Sequence, residues 1–385
     1  MKPIVSLVAL ADYDDQALVD KRVREAINLC GGMPAFVRPG QRVLLKVNLL
    51  MRKRPEEAVT THPAVVEAVV KLVQAAGGQA IIGDSPGGPF NPKQLATIYR
   101  WTGMQRVAER TGAELNYDIA EVQVTHPEGR ILKGLTLGSY VTSADVVIAL
   151  PKLKTHGLTL YTGAVKVLFG AVPGVHKAEY HVRMPRLDDF SDMLVDIAIR
   201  VRPALTVMDA VVGLEGAGPS AGKPRAIGAL LASPDPFALD VVATSLVGIE
   251  PGKVPTIEAA ARRGLPAALT DLTAAGESLE NMRILRFALP PTVGIDFFER
   301  HLPRFLAGWV RERLRARPVF LHVSCTGCAA CYRNCPPQAI QMVNQRPEVD
   351  LSKCIRCFCC QELCPQKDVV IRRPWVVQAL LRQRQ

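Results

Sequence analysis

Nine of the chain's ten cysteines lie between Cys325 and Cys364, in a run that occurs twice. Cys325-x2-Cys328-x2-Cys331-x3-Cys335-Pro336 is repeated as Cys354-x2-Cys357-x2-Cys360-x3-Cys364-Pro365, each position shifted by 29 residues. Scattered disulfides would not cluster in this way, whereas a cofactor site would. Zinc sites usually pair two-cysteine knuckles rather than three-plus-one runs, and disulfides do not suit a reducing compartment. Three thiolates two residues apart can wrap an inorganic cluster from one tight turn, while a fourth must come from elsewhere. A proline straight after that fourth cysteine stops the local helix from running on. Cys359 falls out of register and reads as a spare buried thiol; Cys30, at a helix end, reads as core.

The repeated run resembles the bacterial-type two-cluster ferredoxins, in which the fourth cysteine of each run ligates the other cluster. The resemblance implies two 4Fe–4S clusters, one on Cys325, Cys328, Cys331 and Cys364, the other on Cys354, Cys357, Cys360 and Cys335. It also implies a small α+β ferredoxin-like domain over residues 319–372.

Residues 1–295 follow a different grammar. Apolar runs rich in β-branched residues at Ile4–Leu10, Val43–Val47, Gln79–Gly83, Asp145–Leu150, Leu205–Val212 and Ile227–Ala232 alternate with helix-like stretches at Asp15–Leu29, Pro63–Ala76, Leu187–Arg200 and Pro236–Val247. The runs are mostly apolar throughout, as expected for strands covered on both faces. The predicted class is α/β, with a largely parallel sheet flanked by helices. Thr60-Thr61-His62-Pro63 reads as a helix start with a threonine cap.

The net charge of +11 is unevenly placed: residues 301–385 carry 14 Lys/Arg against 5 Asp/Glu. Residues 296–318 are expected to form a basic amphipathic linker helix, packed on the body or, in a second reading, resting on an anionic membrane surface; residues 373–385 form a basic tail. No apolar run is long enough for a spanning helix. The first residues read as a strand rather than a signal peptide, which points to a cytoplasmic protein.

The large domain shows no nucleotide-binding signature. Gly216-x-Gly218-Pro219-Ser220-Ala221-Gly222-Lys223-Pro224 lacks the glycine spacing of a P-loop and has Pro224 where Ser or Thr is required. Charged and polar residues instead gather where strands end: Lys46 and Asn48, Asp84, Lys152, Lys154 and His156, then Asp209 and Glu215. Ligands bind outside the carboxyl ends of parallel strands. With Lys166 and His181 close by in sequence, these residues predict a cationic pocket for an anionic small molecule or organic cofactor. His62 is a further candidate; Lys177 is a weaker one than Lys154 and His156 and can be read as a surface lysine, and Asp209 and Asp240 as structural carboxylates.

Lys46-Val47-Asn48, Thr61-His62-Pro63, Pro151-Lys152-Leu153-Lys154-Thr155-His156, Thr162-Gly163-Ala164-x-Lys166-x2-Phe169-Gly170, His181 and Asp209-x5-Glu215-Gly216-x-Gly218-Pro219 resemble the family called domain of unknown function 362. Many of its members end in a two-cluster ferredoxin module. Val167 departs from the asparagine common in that family after the lysine. Over fewer than twenty residues, Lys166, Pro173-Gly174 and His181 are also similar to the Lys…Pro-Gly…His order of nickel-pincer lactate racemases, which would make Lys166 a covalent anchor.

Two functional readings follow. In the first, the clusters relay electrons between a soluble carrier and an anionic substrate in the α/β domain, with Lys46, Lys152, Lys154 and Lys166 holding the anion and His156 or His181 supplying a proton. In the second, the protein is a non-catalytic carrier or assembly factor that binds a partner or a maturing cofactor. The basic C-terminal segment suits an acidic ferredoxin or flavodoxin as partner. No recognition motif or aromatic pattern points to nucleic acid.

Overall fold

The computed structural model describes residues 2–174, 176–290 and 316–372. The amphipathic helix expected over 296–318 falls largely outside this range, as does the tail at 373–385. Arg317 and Pro318, at the end of that stretch, already belong to a strand.

The large domain is built on ten strands: β1 Ile4–Ala9, β2 Arg42–Val47, β3 Gln79–Gly83, β4 Glu114–Leu115, and, after a separate hairpin of β5 Glu121–Thr125 and β6 Gly134–Gly138, β7 Val146–Leu150, β8 Lys152–His156, β9 Leu160–Thr162, β10 Leu205–Glu215, β11 Lys223–Ser233 and β12 Thr273–Gly276. The sheet runs β12-β1-β11-β10-β7-β2-β3-β4, with β8 paired to β10 and β9. Pairings are parallel except those of β11 with β1 and β10, and of β8 with β9. The sheet is therefore mixed but largely parallel, and the ends of β2, β3 and β7 lie together along one edge.

Alternate residues of one strand feed opposite layers. Leu45 and Ile148 enter a core shared with helices Gln16–Asn28 and Pro63–Ala75. Leu44 and Val147 enter a second core under helix Leu187–Val201. Such two-sided burial is why the strands read as continuous apolar runs. Helix starts follow side-chain caps: Asp15 accepts from the Ala17 amide, and Asp235 from those of Phe237 and Ala238. Helix Pro63–Ala75 is capped by His62, whose Nδ1 accepts from the Ala64 amide at 3.3 Å, and not by a threonine. Thr61 is engaged elsewhere, its hydroxyl donating to the Leu150 carbonyl at 2.6 Å.

The C-terminal module pairs β13 Arg317–Phe320 with β16 Val369–Arg372, and β14 Ile340–Val343 with β15 Arg346–Val349. Two short helices, Ala330–Arg333 and Cys359–Glu362, lie between. Among the described residues no helix is long and apolar enough to cross a membrane.

Candidate functional site

The module sits against the carboxyl ends of the large domain's strands. The Ser220 hydroxyl donates to the Glu362 carbonyl at 2.6 Å, and the Gln361 amide to the Ala217 carbonyl at 2.9 Å. Gly87 lies so close to Leu363 that a Cβ there would collide with its side chain.

The two cysteine runs interleave. The four cysteines Cys325, Cys328, Cys331 and Cys364 line one small cavity, walled by Phe320, Met342 and Val369. Burial, with a smaller contribution from the nearby Cys364 and Cys328, pushes the Cys331 thiol up to about 11. Burial likewise raises the Cys335 thiol, with added contributions from Cys357 and Cys354 of the other run. Cys360 is raised by burial and then by Cys357, Cys354 and Cys335. Thiols held in mutual proximity and pushed upward are sites where a cationic iron centre would favour the thiolate. Among the described residues no three His, Cys, Asp or Glu side chains converge as the ligands of a single metal ion do. A cubane does not ask for that, because its thiolates stand apart on four irons.

Where module and sheet meet lies a cavity of about 610 Å³, within the range of small-molecule sites. One wall is Cys335, Pro336, Cys359, Glu362 and Leu363; the other carries Asn48, Lys154, His156, Lys166, Lys177 and His181 around the Phe169 ring. Lys154 projects from β8 and donates to Asn48 Oδ1 at 2.6 Å and to the Val59 carbonyl at 2.8 Å. Burial pulls its ammonium down to about 7, partly opposed by Glu362. His156 accepts at Nδ1 from the amides of Leu158 (3.0 Å) and Thr159 (3.4 Å), so its proton resides on Nε2. That Nε2 is buried without a hydrogen-bond partner, 3.8 Å from the Glu362 carboxylate.

Lys166 stands on the short helix Ala164–Val167, 5.5 Å above the Phe169 ring centroid. Burial lowers its pKa, against the pull of Glu362 and Cys359. That helix is anchored by Asp240, which accepts from the amides of Ala164 and Val165 and from the Tyr161 hydroxyl at 2.6–3.0 Å. Asp240, itself raised to about 6 by burial, is thus structural toward the lysine rather than a wall of the cavity.

Five of the candidates do not line the cavity. Lys46 is buried beneath it, ion-paired with Asp84 at 2.6 Å and donating to the Val167 carbonyl at 2.9 Å. Lys152 is spent on Asp209 at 2.8 Å, which also accepts from the Tyr13 hydroxyl at 2.6 Å and the His62 amide at 2.8 Å. Burial favours the neutral Asp209, but Lys152 and these donors outweigh it and lower its pKa. His62 stacks on Tyr13, with 3.6 Å between centroids, and opens to a separate groove. Glu215 accepts from the Ala288 amide at 3.0 Å. Asp84 does reach the cavity wall, its charge met by Lys46.

Lys177, readable as a surface lysine, instead holds the cavity floor, donating to Ser85 Oγ at 2.7 Å and to the carbonyls of Ser85 and Val172. Burial brings it to about 7. Burial holds His156 well below its usual value and His181, stacked on Phe190, at about 3, which opposes the protonated form of either candidate proton donor. On the cavity wall, Lys154 and Lys177 are lowered to about 7, and an anion beside them would raise both. Glu362 escapes sequence reasoning because a glutamate between two cluster cysteines carries no separate signal.

The fold and site together define a class: a mixed α/β domain whose strand ends are closed off by an iron–sulfur module. The family model described as domain of unknown function 362 matches residues 43–245, and that of a 4Fe-4S dicluster domain matches residues 317–365. The chain belongs to the domain of unknown function 362 family. It is 37% identical over 311 residues to a "Thylakoid-associated protein" of Synechocystis sp., covering 78% of this chain and 92% of that protein. Over 50 residues it is 40% identical to a component of an "Ion-translocating oxidoreductase complex" of Methanosarcina acetivorans, covering 13% of this chain and 19% of that one. Among solved structures, the lactate racemase apoprotein of Thermoanaerobacterium thermosaccharolyticum superposes with a TM-score of 0.36 at 14% identity, over 59% of this chain and 53% of that one.

Proposed function

We propose that the protein is an iron–sulfur oxidoreductase that takes electrons from a soluble carrier and delivers them to an anionic molecule held between its two domains. The observation that carries this is the shared cavity: Cys335, assigned to the second cluster, forms one wall, and Lys154, Lys166 and Lys177 stand on the other. Two 4Fe–4S clusters would supply one electron each. The chain's own residues bind and orient the acceptor. Lys166, which rests over the Phe169 ring, and the Nε2–H of His156 are the donors placed to meet an anion. Phe169, Val167 and Leu363 offer an apolar surface to the rest of the molecule. Lys154, with a pKa near neutrality, is the group suited to giving up a proton. Thiolates kept available for iron fit a reducing compartment such as the cytoplasm.

The test uses protein purified anaerobically from its native host, with iron, zinc and nickel counted and the small molecules released on denaturation identified by mass spectrometry. About eight irons per chain and an anionic organic molecule, lost in a Lys166→Gln variant that keeps its iron, are expected. Eight irons with nothing bound would favour a non-catalytic carrier, and zinc in place of iron would overturn both readings.

A further inference from the structure

The two cysteine sets are not equivalent in their surroundings. Cys335 and the neighbouring Cys359 face the inter-domain cavity, whereas Cys328, of the other set, is exposed to solvent. Around Cys328 the surface is unusual for this chain. Val323 is 85% exposed, more than any other large apolar side chain among the described residues, and Val343 is 40% exposed. Arg346 ties these together: it lies opposite Val343 in the β14–β15 hairpin, and its Nη1 donates to the carbonyls of His322 (3.1 Å) and Cys325 (2.9 Å). On the helix Ala330–Arg333, Arg333 donates to the Cys328 carbonyl at 2.7 Å and also reaches the edge of the inter-domain cavity. From Leu321 to Pro347 the sequence contains no aspartate or glutamate; these two arginines are its only residues with a fixed charge.

We infer that this face, centred on Val323 and Val343, with Arg346 on it and Arg333 at its border with the inter-domain cavity, is the docking surface for an acidic one-electron carrier protein. The inference rests on the relay reading and gives the relay a direction: in at the exposed Cys328 side, out at the Cys335 side. Electron-transfer complexes are held by small interfaces, below about 1,200 Å² in total, in which an apolar centre excludes water and rim charges steer the approach. A solvent-facing apolar patch beside two arginines suits a partner of opposite charge; the Asp368 carboxylate behind Val323 is buried and taken up by the amides of His322 and Ser324 at 2.9 and 2.8 Å. The two arginines grip the backbone that carries the ligand cysteines, so a carrier docked on them lies over the ligand loop itself. In the transfer the carrier loses one electron and the module gains one; no bond is made or broken.

Acidic flavodoxin is the probe. Binding to the iron-loaded, full-length protein is followed by calorimetry, and reduction by stopped-flow absorbance, for the wild type and for Val323→Glu with Val343→Glu. Both substitutions are on the exposed face, and unchanged iron content reports that the module is intact. Flavodoxin affinity and second-order reduction rate are expected to fall about tenfold or more and to weaken with salt in the wild type, while reduction by dithionite is unchanged. Equal flavodoxin binding in wild type and variant would overturn the assignment. A loss of dithionite reduction would point to cluster damage and equally count against a docking effect. Lys166→Gln separates the two proposals: it should leave flavodoxin binding intact even where it abolishes retention of the cavity ligand.

Discussion

At the scale of single residues, the cavity's chemistry depends on which lysines are already paired. Lys46 and Lys152 have carboxylate partners at 2.6 and 2.8 Å and are closed to ligands. Lys154 and Lys177 carry charge that disappears as pH rises through about 7. Anion affinity should therefore be fully present below that pH and decline above it. Sulfate, whose own charge is constant over the range, should bind at least about tenfold more weakly at pH 9 than at pH 6, a loss within the worth of one or two charge-assisted hydrogen bonds; calorimetric titration reads it. A flat profile would mean that neither lysine meets the anion. Asp209→Asn has the opposite signature. It strands the buried Lys152 ammonium and should cost about 3–5 kcal/mol of stability in urea unfolding, while sulfate affinity per folded molecule stays the same. If affinity fell too, Lys152 would be part of the binding site after all.

At the scale of elements, the placement of Lys166 rests on a helix of four residues, too short to hold itself. Asp240 supplies the missing constraint, and Gly163 allows it: a Cβ there would drive into both the Tyr161 hydroxyl and the Asp240 carboxylate. Gly163→Ala should destabilise the protein by several-fold more than Gly134→Ala, whose added Cβ meets only the Val124 carbonyl at 3.4 Å. Thermal unfolding of the two variants checks this, and equal melting temperatures would rule out the proposed grip. These elements also show what can be read beforehand. Six of the sheet's strands are legible because burial on both faces writes itself as β-branched apolar runs. β8 is not, since Lys152-Leu153-Lys154-Thr155-His156 looks like a polar loop. It is a fully buried strand because each polar side chain has a partner in the folded chain, or, for His156 Nε2, faces the cavity. For the same reason the strand-end lysines are visible as a set but not as individuals. What sorts Lys46 and Lys152 from Lys154 is an acid 38 or 57 residues away, and sequence proximity says nothing about it.

At the scale of the whole molecule, the cavity exists only while the module is in place, and the module has little to hold it together alone. Its main core contains Cys331, Ile340, Cys360 and Val369, two of the four being assigned cluster ligands, with Cys335 and Cys364 packed at the edge. A core of this size cannot offset the chain entropy of so small a domain without a staple, and the staple its residues are arranged to take is metal-bound thiolate. Binding free energy is then folding free energy. The large domain is independent of this, with three extensive apolar clusters of its own. Stripping iron with a chelator under mild oxidation should therefore split one molecule into two behaviours. Hydrogen exchange in residues 317–372 should rise toward that of an unfolded chain, and the amides of Gly87 and Gly157, which donate to Leu50 and Gly218 beside the module at 2.7 and 3.2 Å, should lose protection. The strands β2, β3 and β7 should exchange as slowly as before. Full protection of the module without iron would show that its fold does not depend on clusters, and the wall bearing Cys335 and Glu362 would then be a permanent part of the site rather than one assembled by metal.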